Sequence, residues 1–374
     1  MSTNELTPGR DHLLACLALS GAELAPRAWR LLVERFGSPE GVLDASDTEL
    51  AAIKGISAQV RTRIVTARDH HEKAEAVLAR LEEIGATAVP FDSPDYPPLL
   101  KQIPDPPGLL YVRGQLTEAD RFSIAIVGSR HPRPYGLQMS RKLGEDLARG
   151  GLTVVSGGAR GIDSAAHEGA LASGGRTIAV LGCGVDISYP AENRDLFTRI
   201  ASQGAVVSEF PPGAPPESWR FPRRNRIISG ISRGVIVCDA TEDSGSLITA
   251  TCAAEHNRDV FAVPGNVDSG HNKGAHRLLK EGAKLVENAE DVFAELGMEP
   301  GPGPAPSPVP VPEISVSSEE RRVLELLDLE PLPLDDIIEK AGMPASDVAG
   351  ALTFLEMKRL IKRVAGPAYI RVLR

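Results

Sequence analysis

Apolar positions along the chain fall into distinct regimes. From residue 12 to about 88 they recur at helical spacing in LLACLAL, APRAWRLLVERFG, DTELAAIKG and SAQVRTRIVTARDHHEKAEAVLARLEEIG, with Gly37, Gly55 and Gly85 where helices would end. This pattern predicts an all-helical module over residues 1–88. Proline then crowds SPDYPPLLKQIPDPP too densely for a helix or a central strand, so an ordered connector is expected, leading into the strand LLYVRG. From Ile124 short apolar runs alternate with helical stretches: IAIVG, YGLQMSRKLGEDLARGG, LTVVSGG, IDSAAHEGALASGG, RTIAVLG, AENRDLFTRIASQG, AVVSEF, GVIVCDA, LITATCAAEHNRD, VFAVPG and AKLVEN. Strands without a polar face must be covered on both sides. Residues 89–296 therefore read as an α/β domain with a mostly parallel sheet, whose strand ends gather ligand-binding loops.

Beyond it, MEPGPGPAPSPVPVP marks an extended linker over 297–316. Residues 317–374 then give three helical patterns, SSEERRVLELLDLE, PLDDIIEKAG and PASDVAGALTFLEMKRLIKRV, and a closing strand AYIRVL, the order of a winged helix-turn-helix.

Composition narrows the function. With 42% hydrophobic and 24% charged residues among 374, the chain can bury more than one core. No run approaches the roughly 18 to 20 apolar residues of a membrane helix, and MSTNELTPGR lacks the apolar stretch of an export signal. The protein is expected in the cytoplasm, away from membranes. Cys16, Cys183, Cys238 and Cys252 form no CxxC pair, and His271 and His276 have no partners at ligand spacing, so reduced thiols and neither metal nor cofactor are expected. The net charge of −9 excludes a diffuse basic surface. Any nucleic-acid site must be a local arginine patch.

The first loop of the α/β domain, GSRHPRPYG, follows a strand and precedes a helix, so Gly128, Ser129 and the fork of Arg130 are placed to meet a phosphate. Its glycine spacing is not GxGxxG, which argues against a dinucleotide. SGGARGIDSAAHEGAL repeats the design with Gly157, Gly158, Arg160 and Gly161. Asp163, Ser164 and His167 lie on one early helical turn without a nucleophile elbow, so they read as capping and packing groups and no catalytic residue is expected. The sharpest cluster is ESWRFPRRNRIISGIS: Arg220, Arg223, Arg224 and Arg226 beside Trp219, Phe221 and Asn225. Arginines pair with phosphates and aromatic faces stack on unpaired bases, which suits a single strand. Ser244, Gly245 and Ser246 start a further helix, and Lys273 adds a cation in the last loop.

GSRHPRPYG, SGGARGIDSAAHEGAL, LGCGVDISYPAENRDLF, SEFPPGAPP, FPRRNRIISGIS, DSGSLITA and VPGNVDSGHNKGAHRLLKEGAKLV together resemble the DNA-processing protein A (DprA, or Smf) family over roughly residues 90–290. The resemblance implies an extended Rossmann-like core that binds single-stranded DNA, forms a homodimer and loads the RecA recombinase during natural transformation. Carried over by motif, it makes Arg130 and Arg160 phosphate ligands and lines the same groove with Arg224, Asn225 and Arg226. It also places a dimer and RecA contact within 274–286, around His276, Leu278, Leu279 and Leu285; burial of the leucines in the core is the alternative.

Residues 50–66 resemble a helix-hairpin-helix of the sterile-alpha-motif (SAM) kind, with Ser57 where a second hairpin glycine is expected. In the winged helix, Lys358, Arg359, Lys362 and Arg363 lie at the end of the third helix, whereas its start carries Ala345, Ser346 and Asp347. Base reading by that helix is not expected. Duplex DNA and protein contacts both stay open for these flanking domains. Two rivals remain: a phosphoribohydrolase-like nucleotide enzyme, although DSGSLITATCAAE lacks the PGGxGTxxE pattern, and a winged-helix transcription regulator.

Overall fold

The computed structural model describes residues 9–69, 71–267, 270–301, 316–328, 330–358, 360–364 and 366–372. The first eight residues and most of the expected linker, 302–315, lie outside them. The chain opens with α1 (Arg10–Gly21), α2 (Pro26–Phe36), α3 (Pro39–Asp44), α4 (Asp47–Ala51), α5 (Ala58–Asp69) and α6 (His71–Glu83). Pro26 and Pro39 sit in the first turns of their helices, where no backbone donor is lost. Gly37, at φ 84°, ends α2 with its N–H on the Val33 carbonyl at 2.8 Å. α3 was not anticipated. Its signal is Ser38, whose hydroxyl caps the Gly41 N–H.

The core follows as β1 (Ala86–Pro90), β2 (Leu109–Gly114), β3 (Ser123–Gly128), α7 (Pro134–Arg149), β4 (Thr153–Ser156), α8 (Ile162–Ala172), β5 (Thr177–Leu181), α9 (Arg194–Gln203), β6 (Ala205–Ser208), α10 (Arg220–Ile231), β7 (Gly234–Cys238), α11 (Ser246–Glu255), β8 (Asp259–Ala262), α12 (Lys273–Lys280), β9 (Lys284–Leu285) and α13 (Ala289–Glu295). Among the described residues these strands form one sheet in the order β1-β2-β6-β5-β4-β3-β7-β8-β9. β1 and β2 are antiparallel to their neighbours; β6 through β9 are parallel. The sheet thus begins at Ala86, inside the stretch expected to close the helical module. Between β1 and β2 the proline-rich connector is pinned by Tyr96, whose buried hydroxyl donates to the Pro107 carbonyl at 2.7 Å.

Alternation along the strands sorts two cores. Val127, Val155, Val180 and Val237 face α10 and α11, while Ile124, Ile126, Val154 and Ile236 face α7 and α8. α7 and α8 cross closely because Gly144 and Gly169 carry no Cβ; one would lie 2.4 Å from the Ala166 carbonyl oxygen, the other 2.0 Å from that of Arg141. The architecture is Rossmann-like. From β3 the chain winds outward through β4, β5 and β6, then returns to place β7 on the other side of β3. The crevice beyond the C-terminal ends of β3 and β7 is therefore the topological switch point, where open α/β sheets bind ligands.

The helical module packs on the antiparallel edge, where Leu14, Leu17 and Leu81 share a core with Leu109, Tyr111 and Val206. The C-terminal part is a winged helix: α14 (Ser318–Leu326), β10 (Leu332–Pro333), α15 (Leu334–Ala341), α16 (Ala345–Met357), β11 (Ile361–Val364) and β12 (Ala368–Arg371), with strand order β10-β12-β11. One expectation is corrected here. The third helix stops at Met357, because the Leu360 N–H closes on the Leu355 carbonyl at 2.9 Å and the chain turns into β11 with Ile361 buried. Lys362 and Arg363 are exposed on the wing strand, not on the helix; Lys358 is bound to Glu320 at 2.5 Å, and Arg359 lies outside the described residues.

Candidate nucleic-acid interface

The switch-point crevice is a groove of about 660 Å³, walled by the turns after β3 and β7 and floored by α10. FPRRNR forms the start of that helix. Helical periodicity then splits the arginine cluster. Phe221, Arg224, Asn225 and Ile228, spaced i, i+3, i+4 and i+7, face the groove. Arg223 and Arg226 turn to the other side, where both pair with Glu209, at 3.1 Å and 2.5 Å, and Arg226 also approaches Asp105 at 3.4 Å. The expectation that Arg226 lines the groove is corrected by that placement.

Arg224 is the least ordinary group in the site. Its Nη1 donates to the carbonyls of Gly157, at 2.7 Å, and Val180; its Nε has no partner among the described residues. Only 4% of the residue is exposed, and no described carboxylate lies within ion-pairing distance. Burial pushes its pKa down to about 10. Asp163 shares this environment, and burial raises its carboxyl above the usual range despite the nearby Arg224 charge. The guanidinium is thus hydrogen-bonded only to neutral carbonyls among the described residues, with the Asp163 carboxyl nearby but not in an ion pair, so an incoming anion can add to its charge balance.

Arg130 stands at the groove mouth, exposed, with its guanidinium 5.5 Å from the Phe221 ring centroid. Phe221 in turn lies 5.5 Å from Tyr189. The sequence reading passed over Tyr189; an aromatic inside LGCGVDISYPAEN was its only signal. Gly128 and Ser129 line the wall, and Ser129 is fixed by its N–H on the Asp239 carbonyl at 3.0 Å. At the N-cap of α7, the Arg133 N–H donates to the Asp239 carboxylate at 2.5 Å. Across the groove, Ser244 and Ser246 hydroxyls bond each other at 2.7 Å, and Asn225 Nδ2 reaches the Gly245 carbonyl at 3.4 Å.

Arg160 is exposed beside the groove and bound to Glu192, with Nη2 to Oε2 at 3.0 Å. Gly158, at φ 67°, presents its carbonyl to Asn193 at 2.9 Å and packs against the Phe197 ring. Asp163, Ser164 and His167 do not form a triad: Ser164 donates to the Ala159 carbonyl, Asp163 accepts the Ala159 N–H, and His167 Nδ1 meets Thr177 Oγ1 at 2.7 Å. Lys273 starts α12, exposed and outside the groove lining.

The residues expected at a dimer or RecA contact also divide. Leu285 is 49% exposed on the edge strand β9. Leu278 packs on the core, Leu279 is half-buried, and His276 Nε2 is held at 3.0 Å by the Gly265 carbonyl. In the helical module, Arg61 pairs with Asp47 at 3.0 Å, while Arg63 and Arg68 donate to the Glu23 and Ala45 carbonyls. The basic side of α5 is thus spent on its own module.

A family model described as DNA recombination-mediator protein A matches residues 87–297, and one described as the DprA winged helix domain matches 304–367. Protein Smf of Synechocystis is 33% identical over 93% of this chain and 96% of its own length. The X-ray structure of DNA processing protein A from Streptococcus pneumoniae aligns with a TM-score of 0.64 at 35% identity, covering 74% of this chain and 95% of that one. DNA processing protein A from Helicobacter pylori, described for its single-stranded DNA binding mode, aligns with a TM-score of 0.51 at 31% identity, covering 56% of this chain and 95% of that one.

Proposed function

From the premise that this chain belongs to the DNA recombination-mediator protein A family, we propose that it binds single-stranded DNA without catalysis in the switch-point groove and delivers that strand to the RecA recombinase during natural transformation. The observation that carries this reading is Arg224, a buried cation without a described ion-pair partner, lying beneath an exposed Arg130 and the Phe221–Tyr189 pair. An anion entering the groove stabilises the Arg224 charge, and the aromatic pair gives an unstacked base a face whose use does not depend on sequence. Asp163 and Ser164 hold the second glycine loop through Ala159, and His167 bonds Thr177 on β5, so the reading gives these three residues a structural role.

Phosphates are tracked by Arg130 at the mouth and by Arg160 at the side once Glu192 releases it. A homodimer joined near Leu285 would present two such grooves to one strand, raising the local density of protein along it. The protein acts on DNA inside the cell, and its winged helix and helical module serve as accessory contacts to duplex or protein.

Fluorescence anisotropy with labelled oligo-dT and a matched duplex across a salt series tests the groove. Tight, salt-steep binding to the single strand is expected, and Arg130→Ala should lower the slope of log K against log salt by about 0.7, the value for one phosphate contact on a single strand. Binding that stays flat with salt, or a mononucleotide that binds while the strand does not, would overturn the reading in favour of a nucleotide enzyme.

A further inference from the structure

A second cleft, of about 500 Å³, opens where the helical module meets the core and lies on the far side of residues 216–221 from the groove. Pro216, Ser218 and Phe221 face the groove; Trp219 and Arg220, in the same short segment, face the cleft. The two sites are therefore separated by a single ridge of chain.

The cleft is built from aromatic rings and cations. Trp29 forms one wall, its indole seated directly on Gly108, where a Cβ would come within 2.1 Å of the ring. Opposite, Phe210 and Trp219 meet edge to face with centroids 5.9 Å apart. Arg220 lies 4.8 Å from the Phe210 centroid and 5.2 Å from that of Trp219, and Arg223 lies 5.7 Å from Phe210. At the base, Glu209 gives one carboxylate oxygen to Arg223 and Arg226 while its Oε1 has no partner among the described residues. Trp219 is 51% exposed, and its indole N–H donates to the Glu217 carboxylate at 2.5 Å, which fixes the ring at the rim of the cleft. As the N-cap residue of α10, before the helix proper, Trp219 lies outside the core.

We propose that this cleft is a second strand site, in which an unpaired base stacks on the Trp219 indole as the single strand passes over the 216–221 ridge from the groove. The inference rests on the reading of the groove as a single-strand site. Ring and guanidinium side by side match a base and its phosphate, and continuity with the groove favours the same strand over an unrelated ligand. The helical module acquires a role through it: by supplying Trp29 and the second wall, it extends the footprint of the core rather than gripping duplex DNA.

Trp29 and Trp219 are the two tryptophans of the chain and both line this cleft, so intrinsic fluorescence reports on it directly. Oligo-dT is titrated into the full chain and into a Trp29→Phe variant, in which Trp219 is the sole emitter, with anisotropy of the labelled strand read in parallel. Quenching of Trp219 that tracks strand binding is expected. Trp219→Ala should weaken a long oligo-dT about tenfold, as loss of one base–aromatic stack does, with Trp219→Phe recovering most of it and a strand just long enough for the groove losing little. Strand binding with unquenched Trp219 emission, or a Trp219→Ala affinity within twofold of the parent, would overturn the second site and leave the groove standing. Absence of strand binding in the parent would remove both.

Discussion

Arg224 Nη1 lies 2.7 Å from the carbonyl oxygen of Gly157, and a Cβ on Gly157 would lie only 2.4 Å from that same nitrogen. The contact ties α10 to the loop after β4, segments 67 residues apart, and it exists only because the loop residue has no side chain. The glycine is thus required by a neighbour and not by a backbone angle, since Gly157 is not among the residues with positive φ. It sets where the buried charge sits.

Gly157→Ala is accordingly expected to displace the Arg224 guanidinium and weaken oligo-dT binding about tenfold, the scale of one charge-assisted hydrogen bond. Far-UV circular dichroism should be unchanged, because the loop lies beyond the strand end. Affinity within twofold of the parent would mean that the strand does not sense the position of Arg224.

Arg160 and Glu192 are each about half exposed, and a solvent-screened surface pair of that kind adds little to stability. In the bound state, however, the Glu192 carboxylate competes with phosphate for the same guanidinium. Glu192→Gln should raise single-strand affinity roughly two- to fivefold at low salt, with a melting temperature close to the parent's and a gain that fades as salt screens the site. A fall in affinity would assign Glu192 a supporting role.

Much of this architecture was legible in the sequence because its strands are apolar on both faces and its glycine loops directly follow them. The four-arginine cluster shows where legibility stopped. Counting cations in ESWRFPRRNRIIS places them together, but α10 sends Arg224 to the groove and Arg226 to Glu209, and only the helical period separates them. Arg160 stands out in the sequence as the cation of the second glycine loop, yet its partner Glu192 is 32 residues away and invisible to local pattern. Tyr189 was missed for the same reason, since its neighbour Phe221 comes from a distant segment, the start of α10. In the winged helix, the run MKRLIKRV kept a helix-compatible composition through a helix end, so Lys362 and Arg363 were assigned to the wrong element.

Leu285 sits 49% exposed on β9, the last strand of the sheet, where backbone groups on the outer side have no neighbouring strand among the described residues. Leu285→Asp is expected to shift the protein from dimer to monomer in analytical ultracentrifugation without lowering the melting temperature, because the side chain contributes little to the monomer's core. A parent that sediments as a monomer at micromolar concentration would rule out the dimer contact at this edge.

His167 supplies a pH dependence that belongs to the fold alone. Its ring is fully buried, Nδ1 is held by Thr177 and Nε2 has no partner among the described residues, and burial pushes its pKa down to about 3 from an ordinary value of 6.5. The folded state therefore keeps the ring neutral, whereas the unfolded chain takes up a proton below about pH 6.5. Stability from this group is fully present above 6.5 and is lost progressively as pH falls toward the folded value. At a limiting slope of about 1.4 kcal/mol per pH unit, acidification from pH 6.5 to 5 should cost the parent on the order of 2 kcal/mol relative to a His167→Gln variant, which does not titrate. Urea unfolding of both proteins at pH 7 and pH 5 gives the comparison, and carboxylates shared by the two cancel in the difference. Equal losses on acidification would mean that the His167 site admits a proton without unfolding.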